Sequence, residues 1–233
     1  MYKKRDLSNV AYTDEYLDKR EVKIAAVIRP ENITDTAEEL AEQGHSQAVI
    51  RYEAVHDGLR YSCSHNKVYN PNKLLIHEYI SLYSHSFCTP ITHSNGRQYL
   101  VYKEDLCGYS VLDIESKGAF RYIPAESLHG GETFIITNIS YNPSTDIVVA
   151  GGYYWAYPSG TFLLEIKDPM KQFSRYLDFH SILGGFDKYD DIDFQGWADT
   201  NILLKGYNIE QEPCHEETIK VTHTEYEKAL QTW

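Results

Sequence analysis

The chain has 233 residues, 34 acidic against 22 basic for a net charge of −12, with 42% hydrophobic and 24% charged positions. That length buries a core without disulfide staples. The charge excludes nucleic acid and an anionic bilayer as expected partners, because both are held by clustered Lys and Arg.

Residues 1–20 are charged and irregular and read as an N-terminal arm; residues 21–233 read as a single β-rich domain. No hydrophobic stretch follows the basic first five residues, so no signal peptide is expected. The longest apolar runs fall far below the roughly 20 residues that cross a bilayer. Cys63, Cys88, Cys107 and Cys214 are scattered without a Cys-x-x-Cys, which reads as reduced thiols in a cytoplasmic protein.

Residues 23–28 read as a strand stopped by Pro30. Thr36 and Glu39 match a capping box, with Gly44 as a stop, and predict a helix over 36–44. A strand over 47–55 and the turn His56-Asp57-Gly58 follow, so a short βαβ unit is expected here. Residues 72–87 are read as strands rather than as a helical stripe.

From Phe87 onward a pattern repeats: strand, polar turn, strand, turn, strand. The interval is 47 residues, from Phe87 to Phe134 and again from Leu100 to Ile147. A third copy places Ile202 55 residues after Ile147, and ends near Thr222. Thr224-Glu225-Tyr226-Glu227 reads as a second capping box, opening a terminal helix. Turn-and-strand units at about 40–50 residues are the signature of propeller blades. On these segments the chain resembles β-propeller repeat proteins of the WD40-like kind, although no Trp-Asp closes a strand and no Gly-His opens a unit. The resemblance implies sheets that stack to share a core, with units near 46–86, 87–133, 134–185 and 186–222. The expected fold is mainly β: a small or incomplete propeller-like repeat of antiparallel sheets with a short N-terminal helix. A β-sandwich and an α+β fold are the alternatives.

Four features bear on function. The segment 151–160 sets Tyr153, Tyr154, Trp155 and Tyr157 between glycines that let the backbone turn, and exposed rings of this kind bind a sugar or a protein partner. Asp187, Asp190, Asp191 and Asp193 put four carboxylates in seven residues, which could wrap a calcium ion and its six to eight oxygen ligands, without the EF-hand spacing; a charged turn facing water is the alternative. Cys63, His65, His85 and His93 offer zinc-ligand chemistry without a paired knuckle. No nucleophile elbow, phosphate loop or dinucleotide fingerprint is present. The expected function is a non-enzymatic scaffold that binds a protein or carbohydrate through Tyr153, Tyr154, Trp155 and Tyr157, with no cofactor. The alternative is a hydrolase with a carboxylate or His/metal site on the propeller axis.

Overall fold

The computed structural model describes residues 6–40, 42–56, 58–83, 87–131, 133–154 and 159–232. It divides into two compact units, one of Met1–Ile91 with Arg97–Thr133, the other of Thr92–Gly96 with Phe134–Trp233.

In the first unit the chain enters a helix where the sequence reading placed an arm and a strand. Thr13 is extended and its hydroxyl accepts the Tyr16 amide, capping α1 (Asp14–Val27). Asp14 and Glu15 occupy the first turn, where the helix dipole favours negative charge. Tyr16, Arg20 and Val27 are its buried residues. The apolar run at 24–27 is the last turn of this helix.

The helix expected over 36–44 is absent. Ile33–Leu40 is β1, and with β2 (Ser46–His56), β3 (Leu59–Tyr69) and β4 (Leu75–Ser81) it forms an antiparallel sheet of sequential strands. Pairing with β2 overrides the capping-box signal, because Arg51 of β2 reaches across to both Asp35 and Glu39 of β1. Here Glu39 serves a cross-strand pair instead of a helix cap. The expected βαβ unit is therefore an antiparallel meander.

The next sheet is β5 (Cys88–Thr92), β6 (Gln98–Tyr102), β7 (Tyr109–Asp113) and β8 (Ala119–Tyr122), followed by the short α2 (Ala125–Leu128). In this unit Val68 and Tyr79 of the first sheet pack with Leu100, Tyr102 and Leu112 of the second. Neither sheet buries this face by itself.

The second unit repeats the device. One sheet orders β9 (Ile135–Asn142), β10 (Ile147–Tyr153), β11 (Ser159–Glu165) and β12 (Arg175–Asp178). After α3 (Phe179–Leu183) comes a three-stranded sheet of β13 (Tyr189–Ala198), β14 (Asn201–Asn208) and β15 (His215–Val221), then α4 (His223–Thr232). Ile147, Val149, Leu163 and Leu177 pack with Ile192, Ile202 and Leu204 across these two sheets, under Tyr226 and Leu230 of α4. The 47-residue interval is physical: Leu100 and Tyr102 of β6 and Ile147 and Val149 of β10 are core residues at matching places in successive sheets. The turn joining β11 to β12 takes 166–174 where the β7–β8 turn takes 114–118. That difference and the long, bulged β13 help stretch the third interval to 55.

The terminal helix forms, but its capping box lies two residues earlier than the sequence reading. Thr222 and Glu225 exchange bonds, the Thr222 amide donating to Glu225 Oε2 at 2.7 Å and the Glu225 amide to Thr222 Oγ1 at 3.4 Å. The fold is thus mainly β, a propeller-like succession of antiparallel sheets with an N-terminal helix. Among the described residues, no helix is long and apolar enough to cross a membrane.

Candidate functional site

The feet of the aromatic hairpin are built by close approach, not by turn freedom as the sequence suggested. Gly152 of β10 pairs with Gly160 of β11. A Cβ on Gly152 would lie 2.1 Å from the Ile135 carbonyl oxygen and 3.0 Å from the Phe134 ring. One on Gly160 would meet the rings of His180 and Phe134 at 3.6 Å. Missing side chains thus admit two rings onto the end of the sheet.

Tyr154 belongs to the same layer. It is buried at 4% exposure, its ring 5.3 Å from Phe134, which in turn lies 4.3 Å from Phe162. It forms part of the apolar base, so its ring is not surface available to a partner. Tyr153 is half-buried at the end of β10. Trp155 and Tyr157 lie outside the described residues.

Beside this base the structure brings together two of the four predicted aspartates. Ser159, the first residue of β11, donates its amide to Asp191 Oδ1 at 2.7 Å. Its hydroxyl oxygen lies 2.8 Å from Asp191 Oδ1 and 2.8 Å from Asp193 Oδ1. Asp191 and Asp193 flank Ile192, which is fully buried, so the strand alternation that sends Ile192 into the core turns both carboxylates to the hairpin. Thr161 fastens the same strands by donating to the Ile192 carbonyl at 2.7 Å. With the amide already on Asp191, the single hydroxyl hydrogen is free to serve Asp193, so Ser159 holds both carboxylates side by side. Two like charges on one serine favour an incoming cation.

His180 is 2% exposed and belongs to the buried base against Gly160. Its ring stacks on Phe186 at 4.0 Å, and its Nε2 is buried without a hydrogen bond. Burial lowers its pKa and keeps the ring neutral. The sequence reading used Phe134 as a repeat landmark and held Ser159 within the segment 151–160, but named neither, nor His180, as a site residue. The i, i+2 spacing of Asp191 and Asp193 about an isoleucine was the available signal for a shared strand face.

The remaining candidates are not gathered. Asp187 and Asp190 are exposed and do not join the Ser159 cluster. Cys63 is buried among Val27 and Tyr52, where burial pushes its thiol up to about 11. His65 holds Glu78 at 2.6 Å. His93 is in the second unit, its Nδ1 accepting the Asn95 amide at 3.2 Å and its Nε2 2.9 Å from the Ile166 carbonyl. His85 lies outside the described residues. Among the described residues, no three His, Cys, Asp or Glu side chains are placed to hold a metal ion.

The first unit holds a buried charge cluster that the sequence did not announce. Glu104, 6% exposed, accepts from Ser110 at 2.7 Å and from Arg121 at 2.7 and 2.9 Å, and Arg20 lies 3.7 Å away. Burial opposes ionisation of Glu104, but the Arg121, Ser110 and Arg20 contacts outweigh it and hold the carboxyl below its ordinary range. Close by, Lys103 is 1% exposed, and burial brings its pKa down to about 8.

No protein-family model matches the chain, and no curated protein matches it. Among solved structures it is similar to the β-propeller domain of the Trilobed protease from Pyrococcus furiosus, with 10% identity and a TM-score of 0.46 over 82% of this chain and 54% of that one. It is also similar to the Pyrococcus horikoshii acylaminoacyl peptidase, with 9% identity and a TM-score of 0.42 over 82% of this chain and 32% of that one. The chain therefore spans about half, or less, of the structures it matches here. The class of protein is set by the sheets themselves: successive antiparallel meanders of the propeller-blade kind.

Proposed function

We propose that this chain is a non-enzymatic scaffold whose β10–β11 hairpin rim binds a protein segment bearing Lys or Arg. The observation that carries the reading is the Asp191–Ser159–Asp193 arrangement, in which the amide and hydroxyl of one serine hold two carboxylates together beside an aromatic base. An ammonium or guanidinium placed there offsets the two like charges, and the hairpin aromatics Tyr153, Trp155 and Tyr157 supply ring faces for the alkyl stem and the cation. The net charge of −12 favours encounter with a basic partner.

The test is titration of the full chain with an Arg/Lys hexapeptide, its Glu counterpart and a chito-oligosaccharide, followed by tryptophan fluorescence. The basic peptide is expected to bind, and Asp191→Asn with Asp193→Asn to weaken it by about tenfold. Glu216→Gln, a charge change elsewhere on the surface, should leave it nearly unchanged. Equal loss in both variants means bulk charge alone, and preference for the sugar overturns the assignment. A hydrolase acting through the same carboxylate pair is the second reading, favoured by their convergence; turnover of a chromogenic ester or glycoside, abolished in the double Asn variant, would establish it.

A further inference from the structure

Helix α1 presents Tyr16, Lys19, Arg20 and Lys23 at i, i+3, i+4 and i+7, one continuous face, to a cavity of about 150 Å³ inside the first unit. The opposite wall comes from the β6–β7 loop and the segment around α2. Four aliphatic side chains, Leu82, Leu106, Ile123 and Leu128, line it.

Three observations fix what suits this space. Tyr16 is 4% exposed, and its buried hydroxyl makes no well-formed hydrogen bond, with the Asp105 carboxylate near enough to act on its proton. Burial and the negative field of Asp105 both raise its pKa, so it stays an O–H donor. Second, Arg20 donates to two carbonyls, Ile80 at 2.7 Å and Glu104 at 3.5 Å, and faces the Glu104 carboxylate at 3.7 Å, which leaves further donors of its five-donor fork for a ligand. Third, the local charge opposes that of the whole chain. The lining carries three cations (Lys19, Arg20, Lys23) against one carboxylate (Asp105), with Glu15 paired to Lys19 and Glu104 to Arg20, in a protein of net charge −12.

We propose that this cavity binds a short-chain monocarboxylate, its carboxylate held by Tyr16, Arg20 and Lys23 and its hydrocarbon part against Leu82, Leu106, Ile123 and Leu128. A space of this size takes a molecule of about six heavy atoms, as a benzene-sized cavity does. A multiply charged anion such as phosphate fits less well, because Asp105 shares the wall and the aliphatic side would be left against a polar ligand. The site lies in the first unit and does not depend on the hairpin rim of the second.

The experiment is an NMR titration of the full chain with butyrate, n-butylammonium and inorganic phosphate. Butyrate is expected to saturate at about 0.1–1 mM, with shifts confined to α1, the β6–β7 loop and α2. Tyr16→Phe and Lys23→Gln should each weaken it by about fivefold or more. Lys23 is exposed, so the second variant keeps the test sound if Tyr16→Phe disturbs folding. Failure of butyrate to saturate by about 10 mM overturns the proposal. So do equal binding of n-butylammonium, tighter binding of phosphate, or butyrate affinity unchanged in Lys23→Gln.

Discussion

Replacing Gly152 with alanine sets a methyl carbon 2.1 Å from the Ile135 carbonyl oxygen and 2.9 Å from its carbon. Both atoms are backbone within the β9–β10 ladder, which already shifts register between Gly151 and Gly152, so no side chain can swing aside. Relief requires separating the strands and giving up ladder bonds worth about 1 kcal/mol each. Added to overpacking of about 1–3 kcal/mol, the expected loss is about 3–4 kcal/mol. Gly160, its cross-strand partner, is the control. Its nearest contacts are 3.6 Å away, so Gly160→Ala is expected to be neutral or to stabilise by about 0.4–1 kcal/mol through the unfolded chain. Urea unfolding followed by tryptophan fluorescence reads this unit, because Trp155, Trp197 and Trp233 all belong to it. With a slope of about 1–3 kcal/mol per molar, Gly152→Ala should lower the midpoint by about 1 M or more. Equal midpoints for the two variants, or a Gly152→Ala loss under about 0.5 kcal/mol, would refute the close-approach explanation.

Two further outcomes follow from the charge clusters. Glu104→Ala strands the Arg20 and Arg121 guanidiniums in the first unit and should cost about 3–5 kcal/mol, read by circular dichroism because the tryptophans lie elsewhere; a loss below about 1 kcal/mol would show that Glu104 neutralises neither. At the end of β11, the Glu165 carboxyl is held down at about 2 by Arg175 of β12. A depressed carboxyl contributes its full stability above its ordinary pKa of 4.5 and loses it as the pH falls through about 2. Arg175→Ala should therefore destabilise by about 1–2 kcal/mol at neutral pH, after discounting for solvent screening. The gap to the parent should close between pH 4.5 and about 2; a gap that stays constant down to pH 2 would rule the pair out as its source.

Much of the sheet architecture was legible because strands buried on both faces have little choice of residue. Residues 99–102 and 147–150 are buried throughout and read as continuous apolar runs, flanked by polar turns at the same spacing. The site was legible only in part. The sequence marked the hairpin aromatics and the acidic turn as separate features; it held no sign that Ser159 would join them, because that contact spans 32 residues and depends on β11 packing beside β13. Tyr154 shows the same limit, since a tyrosine in a loop and one under a phenylalanine are written alike.

Alternation, turn residues and a recurring apolar interval are local properties, so the chain by itself determined a succession of antiparallel sheets from Phe87 to Thr222. Tertiary structure decided what local chemistry left degenerate. Thr36 and Glu39 suit a helix cap as well as a strand edge, and Arg51 on the neighbouring strand settled the choice. Thr13 offered a cap of the same quality, and there the burial of Tyr16, Arg20 and Val27 made the helix. A capping signal contributes about 1 kcal/mol, less than the ion pairs, ladder bonds and buried side chains that compete for the same residues.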